Sequence, residues 1–418
     1  MTLNKIQLAL IAACTVLAST ATAQDAQPKT ASPAKISWYQ APTKALKVDA
    51  MINLAMGWTE QTADGIDARP LMSVHRARLW FRGQASSRLK YVAHLAMDRI
   101  GADEFSLLQG RPFAAGRSPV VQDFFLQYDA FGDGKLRLTA GFVRPQVGRE
   151  NNTAVVGLAT QEPALTSSLA RIASVQAGHG RATGVDFGGR LAFGAFKTIY
   201  HLGVFTPTGT GTTPDGVDYS RSMGSKSAPL LAGSLILGYG DLPQLKGGDY
   251  IILPNNWSRG TDIMVGGSAS MQGETDRFEK SEILTAFGSL NAANIVIDGE
   301  FVTATRAATG GDDYQNQAWH VRAGYNIYLK QSVVAPFVLY TELKGDDITP
   351  DAWNNGTQGL GLFAGKGSLI DAGINWNFRR NQLQLGLHAI KTTLDDDGPL
   401  RQPIREGFSG FISLQAQR

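Results

Sequence analysis

The sequence predicts an all-β chain that closes into a transmembrane antiparallel β-barrel of about sixteen strands, with one long loop folded inward. Three observations support this fold class. Short segments alternate apolar and polar residues, their connections alternate between short and long, and no stretch after the N-terminal signal approaches the ~18 apolar residues of a spanning helix. A chain that enters a membrane without such a helix must close into a barrel, because only then are all its backbone polar groups bonded.

Alternation is clearest near the C-terminal end of the chain. There, Ile370, Ile374 and Trp376 fall on one face of an extended segment, and Asp371 and Asn375 fall on the other. Successive side chains of a strand point to opposite faces, so one face can meet lipid while the other meets water. Read in this way, the chain contains sixteen strands, and an even number is what bacterial barrels require. The predicted strands are 48–58, 71–84, 88–98, 120–131, 134–144, 182–192, 195–205, 229–239, 261–271, 281–291, 293–304, 315–329, 332–343, 366–378, 381–391 and 407–416.

The connections between these segments supply an independent check, because outer-membrane barrels alternate short periplasmic turns with long outer loops. The short links are 85–87, 132–133, 193–194, 292, 330–331 and 379–380, and the long links are 59–70, 99–119, 145–181, 206–228, 306–314, 344–365 and 392–406. One link, 240–260, breaks the alternation because it is long where a short turn is expected. Pro336 is a second irregularity, since a proline inside a strand removes a donor from the hydrogen-bond ladder.

The N-terminus predicts export. Lys5 precedes a largely apolar stretch, and Ala21-Thr22-Ala23 has the A-x-A form of a cleavage site, so 1–23 is predicted to be a signal peptide. The remaining chain would comprise an N-terminal leader, 24–47, and the barrel itself, 48–418. These features predict a protein of the cell outer membrane.

A rival interpretation of the N-terminus is a lipobox at Ile11-Ala12-Ala13-Cys14, which would make Cys14 a lipidated terminus. The apolar region before it would be very short, and Gln7 interrupts it. If the A-x-A site is used, Cys14 leaves with the peptide and no thiol chemistry remains. The same cleavage removes one lysine and leaves 38 basic against 36 acidic residues, a balance that offers no nucleic-acid footprint.

A secreted soluble β-sandwich or solenoid would also show alternating segments. Such a protein should place charged side chains on its surface face, and a chain of this length would usually divide into domains joined by visible linkers. No internal linker is evident in the sequence. The barrel therefore accounts for the pattern better.

Basic residues on the water-facing side of the strands indicate how a pore could select solutes. Arg76, Arg78 and Arg82 follow one another down one face of a predicted strand, and a guanidinium binds carboxylate or phosphate through paired hydrogen bonds. The predicted anion pathway comprises Arg76, Arg78, Arg82, Lys90, Lys135, Arg137, Arg144 and Arg190. The competing interpretation is structural pairing across strands, because acids also point inward at Asp98, Asp123, Asp129, Asp186, Asp298, Glu300 and Asp371.

The longest predicted outer loop, 145–181, is the natural constriction of a lumen that sixteen strands would otherwise leave wide. It contains a helix-like stretch from Ala164 to Ile172 and carries Arg149, Arg171 and Arg181. Folding this loop inward would narrow the lumen and bring those three arginines into it.

These features predict a passive diffusion channel for small hydrophilic solutes, with a preference for anions such as phosphate and without cofactor or metal. No histidine pair has metal-ligand spacing, and the acidic runs at 346–347 and 395–397 are typical of solvated loop tips. Two other classes stay open. One is an outer-membrane barrel enzyme, a hydrolase acting through Ser409, although 407–410 lacks the spacing of a nucleophile elbow. The other is a structural or adhesive barrel with a blocked lumen.

Two segments carry a family resemblance. The run from His75 to Gly83 resembles the basic second strand of the phosphate-selective porin O and P family, and the run from Leu136 to Pro145 is similar to that family's strand before its long loop. The resemblance implies a sixteen-stranded, trimeric, anion-preferring porin with an arginine ladder and a lysine-rich region, in contact with outer-membrane lipids. Its motifs match this sequence at Arg76, Arg78, Arg82 and Arg137. The C-terminal Gln-Ala-Gln-Arg and the many inward acids depart from the family pattern.

Overall fold

The computed structural model describes most of the chain from residue 44 onwards. The described residues are 44–61, 66–98, 100, 119–153, 158–175, 180–206, 226–240, 261–275, 278–308, 311–346, 362–363, 365–378, 382–394 and 406–417. The predicted signal peptide and nearly all of the predicted leader lie outside this part of the chain, as does the irregular 241–260 link. Those predictions stay predictions.

The described strands form one closed antiparallel barrel in which each strand pairs with the next and the last pairs with the first. There are sixteen strands, because the break at Asn326 only interrupts the twelfth, both parts of which pair with the thirteenth. They are β1 (Lys44–Gln61), β2 (Ile66–Gln84), β3 (Leu89–Ala96), β4 (Val120–Asp129), β5 (Arg137–Val143), β6 (Ala182–Phe193), β7 (Phe196–Phe205), β8 (Leu230–Gly240), β9 (Asp262–Gln272), β10 (Phe278–Ala292), β11 (Ile295–Ala308), β12 (Asp313–Tyr325 and Ile327–Tyr328), β13 (Ser332–Lys344), β14 (Lys366–Phe378), β15 (Leu383–Leu394) and β16 (Gly407–Gln417).

The seam between β1 and β16 closes the barrel. Its register runs from Met51 opposite Gln417 to Gln61 opposite Gly407, without a shift. On the inner face of the seam, the hydroxyl groups of Thr59 and Ser409 are 2.7 Å apart and hydrogen-bonded. Closure therefore leaves no unpaired sheet edge among the described strands.

The two faces of the wall differ in polarity as the sequence predicts. In β15, Leu383, Leu385 and Leu387 are exposed on the outside, whereas Gln384 and His388 are buried on the inside. The same alternation places large apolar side chains on the outside of the other strands. The barrel is therefore apolar outside and polar inside.

All sixteen predicted strands are confirmed, but several are longer than predicted. Because β1 runs to Gln61 and β2 starts at Ile66, the link predicted as a long loop at 59–70 shortens to four residues. The link predicted at 306–314 shortens in the same way, since β11 and β12 remain paired as far as Ala307 and Asp313.

Pro336 is accommodated because the strand beside it is interrupted. β13 pairs with β12 up to Phe337 opposite Gly324, and pairing resumes at Val334 opposite Ile327. Asn326 lies at this break, and its N–H donates to the carbonyl of Asn294 instead of to β13. The missing N–H of proline thus falls where the ladder is already open.

One helix, α1 (Leu165–Val175), lies inside the barrel within the loop that joins β5 to β6. The sequence predicts helix from Ala164 to Ile172, and the structure confirms it with a boundary shift of a few residues at its end. No helix in the described part of the chain is long and apolar enough to cross a bilayer.

Candidate functional site

The lumen is partly filled by the β5–β6 loop, which joins Val143 to Ala182 and carries α1. Along its length α1 contacts β10, β11, β12 and β13. Leu165 and Leu169 are fully buried there, in one apolar cluster with Val302 on the inner wall. Burying this stripe of α1 fixes the helix against one side of the barrel. The predicted inward-folding loop is confirmed.

A buried ion cluster anchors the start of the loop to the same wall. Asp298 on β11 accepts hydrogen bonds from Arg149 of the loop at 2.9 Å and from Arg322 on β12 at 2.9 and 3.0 Å. Arg322 also donates to Glu150 of the loop at 2.7 Å, and His320 lies 3.2 Å from Asp298. These ion pairs join the loop to two strands far away in the sequence.

A tight turn at Gly148 brings loop backbone groups to the wall. Gly148 has a φ of +77°, a left-handed conformation that glycine adopts without strain, and its N–H donates to the hydroxyl of Ser268 at 2.8 Å. The next two N–H groups, of Arg149 and Glu150, both donate to the carboxylate of Glu300. A side chain at residue 148 would come within 2.9 Å of that carboxylate. The turn therefore requires glycine for its conformation and for its close approach to the wall.

Opposite charges in this cluster stabilise each other despite their burial. Burial alone would raise the pKa of the Glu150 carboxyl, but the charges of Arg322 and His320 outweigh it and hold that pKa below its ordinary value. Ligand atoms of Glu150, Asp298 and His320 come within 4.8 Å of one another, as a metal site would require. Guanidinium groups already bond both carboxylates, so the positive charge that a metal ion would supply comes from arginine.

A second set of contacts holds the middle of the loop to β2 and β14. The guanidinium of Arg76 donates to the carbonyl of Gln161 and, at 3.3 Å, to Glu162. Asp371 accepts the N–H of Gln161 at 2.9 Å. His75 lies 3.5 Å from Glu162. The loop is thus bonded to two separate parts of the wall.

Arg306 on β11 supports the C-terminal end of α1. Its guanidinium donates to the carbonyl groups of Ile172 and Ala173, and it lies 4.9 Å from the centre of the Phe278 ring. A cation at the end of a helix bonds the free carbonyl groups and opposes the negative end of the helix dipole. This fully buried arginine acts as a C-terminal cap.

The predicted anion-pathway residues are found in three kinds of surroundings. Arg76 and Arg78 are buried, and Arg78 donates to both Asp98 and Gln122. Lys135 is exposed in the β4–β5 turn, 2.8 Å from Asp133. The half-buried residues on the inner wall or at the base of the loop are Arg82, Lys90, Arg137, Arg144 and Arg190.

The three predicted loop arginines also differ in their surroundings. Arg149 is buried in the anchor against Asp298. Arg171 is half-buried on α1 and donates to the hydroxyl of Ser167 at 3.3 Å. Arg181, at the far end of the loop, donates to Asp123 at 2.9 Å. Their role in narrowing the lumen stays a prediction.

Several important residues were not singled out by the sequence. Arg306, His320 and Arg322 carry much of the loop anchor. His320 and Arg322 fell in the predicted strand 315–329, whereas Arg306 fell in the link predicted at 306–314. The sequence could not show which loop atoms they meet, because their partners lie more than a hundred residues away. His75 begins the basic run that the sequence singles out, but strand period could not place its side chain on the inner face. A register shift between Asn53 and its neighbour inserts this residue as a bulge.

The residue suggested for a hydrolase is structural here. Ser409 is fully buried at the β1–β16 seam, where its hydroxyl is hydrogen-bonded to Thr59. A nucleophile must reach a substrate and be activated by a neighbouring base. This position satisfies neither condition among the described contacts.

Comparison with known proteins agrees on the fold. No protein-family model and no curated protein matches the chain. Solved structures do match. OmpF of Salmonella typhi in complex with daunomycin is 12% identical with a TM-score of 0.55, covering 89% of this chain and 97% of that one. The anion-selective porin of Comamonas acidovorans is 11% identical with a TM-score of 0.55, covering 90% and 99%. OprB of Pseudomonas putida is 10% identical with a TM-score of 0.54, covering 90% and 94%. At these identities, what the chain shares with them is the barrel fold.

Proposed function

We propose that this protein is an outer-membrane porin, a passive diffusion channel for small hydrophilic solutes that prefers anions such as phosphate. One observation carries the proposal. The closed barrel is apolar outside and polar inside, and its long inner loop is fixed to one wall by buried ion pairs. Such a wall separates hydrocarbon from water.

The outer surface supports a place in a membrane. Large apolar side chains project outward from strands all round the barrel, among them Leu202 at 64% exposure and Leu387 at 56%. A soluble protein rarely exposes a contiguous apolar patch larger than a few hundred Å². The predicted signal peptide supports the outer membrane as the location.

The inner surface supports passive passage. Most loop anchors lie on β9 to β14, with a further set at His75 and Arg76 of β2. The rest of the wall formed by β2 to β7 carries half-buried polar and basic side chains such as Arg82, Lys90 and Arg190. Ion pairs that are buried and hydrogen-bonded resist breaking, so the loop stays in place while solutes pass. Neither a bound cofactor nor a reaction is needed for this function.

Incomplete pairing of the basic residues supports the anion preference. Arg78 and Arg149 each form an ion pair with a carboxylate, which agrees with structural pairing at those positions. In contrast, Arg82 lies 4.0 Å from Asp49, and no carboxylate of the described residues is within ion-pair distance of Lys90. Cations that retain their charge on a lumen wall attract anions and repel cations.

Reversal potentials across planar bilayers in a KCl gradient test this function. We expect the sign of the reversal potential to show that chloride permeates more readily than potassium. We expect the magnitude of this potential to be smaller in the double variant Arg82→Gln, Lys90→Gln. Lys226→Gln is the matched control, because Lys226 is exposed and paired with Glu274 at 2.6 Å. Addition of phosphate should reduce the chloride current if phosphate is preferred. A reversal potential that shows preference for potassium would contradict the proposed anion preference. Absence of conductance would contradict the proposed channel function.

A homotrimer is part of the same proposal, supported by the resemblance to phosphate-selective porins. Chemical cross-linking of the protein in its native membrane measures the number of subunits. A series of cross-linked gel bands that ends at the mass of three subunits would agree with the trimer.

A further inference from the structure

The part of the inner wall that α1 does not contact contains a recess that the general channel function does not explain. The recess opens to the lumen, and its empty volume is about 680 Å³ with the open solvent at its mouth included. Its side chains come from β2 to β5 and from the two ends of the β5–β6 loop, and they divide into an apolar floor and a basic rim. The floor is formed by Trp80, Val92, Phe125 and Val143, and the rim by Arg82, Lys90, Arg144 and Arg181.

The floor is formed by inward apolar side chains, of which Val143 belongs to the apolar cluster around α1 and Phe125 packs against it. Val92 lies opposite Phe125 in the register of β3 and β4, so the two side chains are neighbours on the inner face. The next inward position in this row is Gly141, which has no side chain. Trp80 stacks on His94 with ring centres 4.7 Å apart, which holds the indole in place. This leaves a fixed apolar surface with open space beside it.

The rim carries more positive than negative charge. Among the described residues that line the recess, Asp123 carries the only carboxylate. This carboxylate is already hydrogen-bonded to Arg181 at 2.9 Å and to His94 at 2.8 Å. Lys90 has no ion-pair partner among the described residues. The positive charge around this space is therefore only partly neutralised, by Asp123 beside Arg181 and by Asp49 at 4.0 Å from Arg82.

Arg144 shows the effect of this imbalance most directly. Its guanidinium donates to the carbonyl of Asn151, but its Nε is buried without a hydrogen-bond partner. Burial and then the charge of Arg181 lower the pKa of Arg144 well below its ordinary value, although Asp123 acts in the opposite direction. A bound anion would relieve the positive potential and give the buried donor a partner.

We propose that this recess binds organic anions that combine one carboxylate with a compact aromatic or aliphatic body, with the carboxylate at the basic rim and the body on the apolar floor. The inference rests on the proposed channel function, since it names the class of solute that the lumen retains. Inorganic phosphate fits the floor poorly, because its oxygens would lose water without gaining donors there. A neutral aromatic molecule would gain the contacts with the floor but would not neutralise the positive charge of the rim.

Equilibrium binding to the purified barrel in detergent tests the recess independently of transport. Benzoate is the probe, and phosphate, acetate, benzyl alcohol and benzylamine are its comparisons, each measured by isothermal titration calorimetry. We expect benzoate to bind roughly tenfold more tightly than each of the others, as expected when a second set of contacts adds to the first. Similar affinity for benzoate and benzyl alcohol, or tighter binding of phosphate, would overturn the proposal.

Variants assign the binding to the recess. Lys90→Gln should weaken benzoate binding roughly tenfold, the effect of losing one charge-assisted hydrogen bond. Lys197→Gln is the matched control, because Lys197 faces the lumen from β7 but does not line the recess. Val92→Thr keeps the side-chain volume and should weaken benzoate binding while leaving acetate unchanged. Equal effects of Lys90→Gln and Lys197→Gln would overturn the assignment.

Bilayer recording of the same preparation separates this inference from the proposed function. A barrel that conducts chloride but fails the benzoate comparison keeps the channel function and loses the recess as a binding site. A barrel that binds benzoate at the recess without conducting keeps the binding site, and the channel function is then wrong. If both hold, benzoate should reduce the chloride current of the wild type more than that of Lys90→Gln.

Discussion

At the scale of single residues, the charges that hold the loop are interdependent. The carboxylate of Asp298 contacts Arg149, Arg322 and His320 at the same time, and its side chain is 1% exposed. A buried ion pair is strongly destabilised when one partner is removed, because the other charge stays behind without water. The cluster is therefore more sensitive to loss of Asp298 than to loss of any ion pair on the surface.

Asp298→Asn should lower the free energy of unfolding by about 3–5 kcal/mol, because two buried guanidinium groups lose their shared carboxylate. Guanidinium unfolding followed by tryptophan fluorescence measures the change. Glu274→Gln is the matched control, since its ion pair with Lys226 is half-exposed and should contribute about 1 kcal/mol or less. Equal losses in the two variants would contradict the role of Asp298.

Glu150 should make the loop anchor sensitive to acid. Its pKa is lowered in the folded protein, so its contribution to stability is present above the ordinary pKa of about 4.3 and is lost as the pH falls through the lowered value. We expect the difference in unfolding midpoint between wild type and Glu150→Gln to be constant from about pH 7 to 5 and to shrink below about pH 4. Unfolding curves across this range measure it. A difference as large at about pH 2.5 as at about pH 7 would show that Glu150 does not titrate with the anchor.

At the scale of elements, the strands could be predicted far better than the loop contacts. The alternation around Ile370 and Asp371 is a local property of consecutive residues. In the barrel, Ile370 is exposed on the outside and Asp371 is buried on the inside. The anchor between Glu150 and Arg322 joins residues 172 positions apart, and nothing local in either segment encodes that pairing. Sequence alone thus identified an inward loop but not the wall that it touches.

The same limit applies to the candidate anion pathway. Inward orientation of Arg76 and Arg78 could be predicted from strand period, but their engagement by Gln161, Glu162 and Asp98 depends on the folded loop and on register. The recess escaped prediction for a related reason. Its lining comes from β2 to β5 and from both ends of the β5–β6 loop, and bringing these together requires the pairing register and the path of the loop to be known.

Leu169→Ala tests whether α1 is held chiefly by apolar packing. Leu169 is fully buried on the side of α1 that packs against the wall, and removing such a side chain typically costs about 2–5 kcal/mol. We expect a lower unfolding free energy and noisier single-channel currents, because the helix can then leave the wall. Ser168→Ala changes a half-buried neighbour on the same helix and should leave both quantities nearly unchanged. Quiet wild-type-like currents in Leu169→Ala would show that the ion pairs suffice without this packing.

At the scale of the whole molecule, closure and polarity act together. The seam pairs eleven residues of β1 with residues of β16, although the two strands lie at opposite ends of the described chain. Bringing such distant segments together costs chain entropy, which grows only slowly with the length of the loop. Hydrocarbon around the outer surface favours closure, because any open edge would leave polar backbone groups without partners.

A charge placed on the outer surface should therefore cost free energy according to its depth along the wall. Leu387 lies near the middle of β15 and Leu383 is its first residue, and both side chains point outward. Leu387→Arg should destabilise the barrel in lipid vesicles by about 2–4 kcal/mol, and Leu383→Arg by about 1 kcal/mol or less, because arginine near the interface reaches water. Reversible guanidinium unfolding in vesicles measures both values on one strand and one face. If the two variants were equally stable, this surface would not face hydrocarbon, and the assignment of the barrel to a membrane would fail with it.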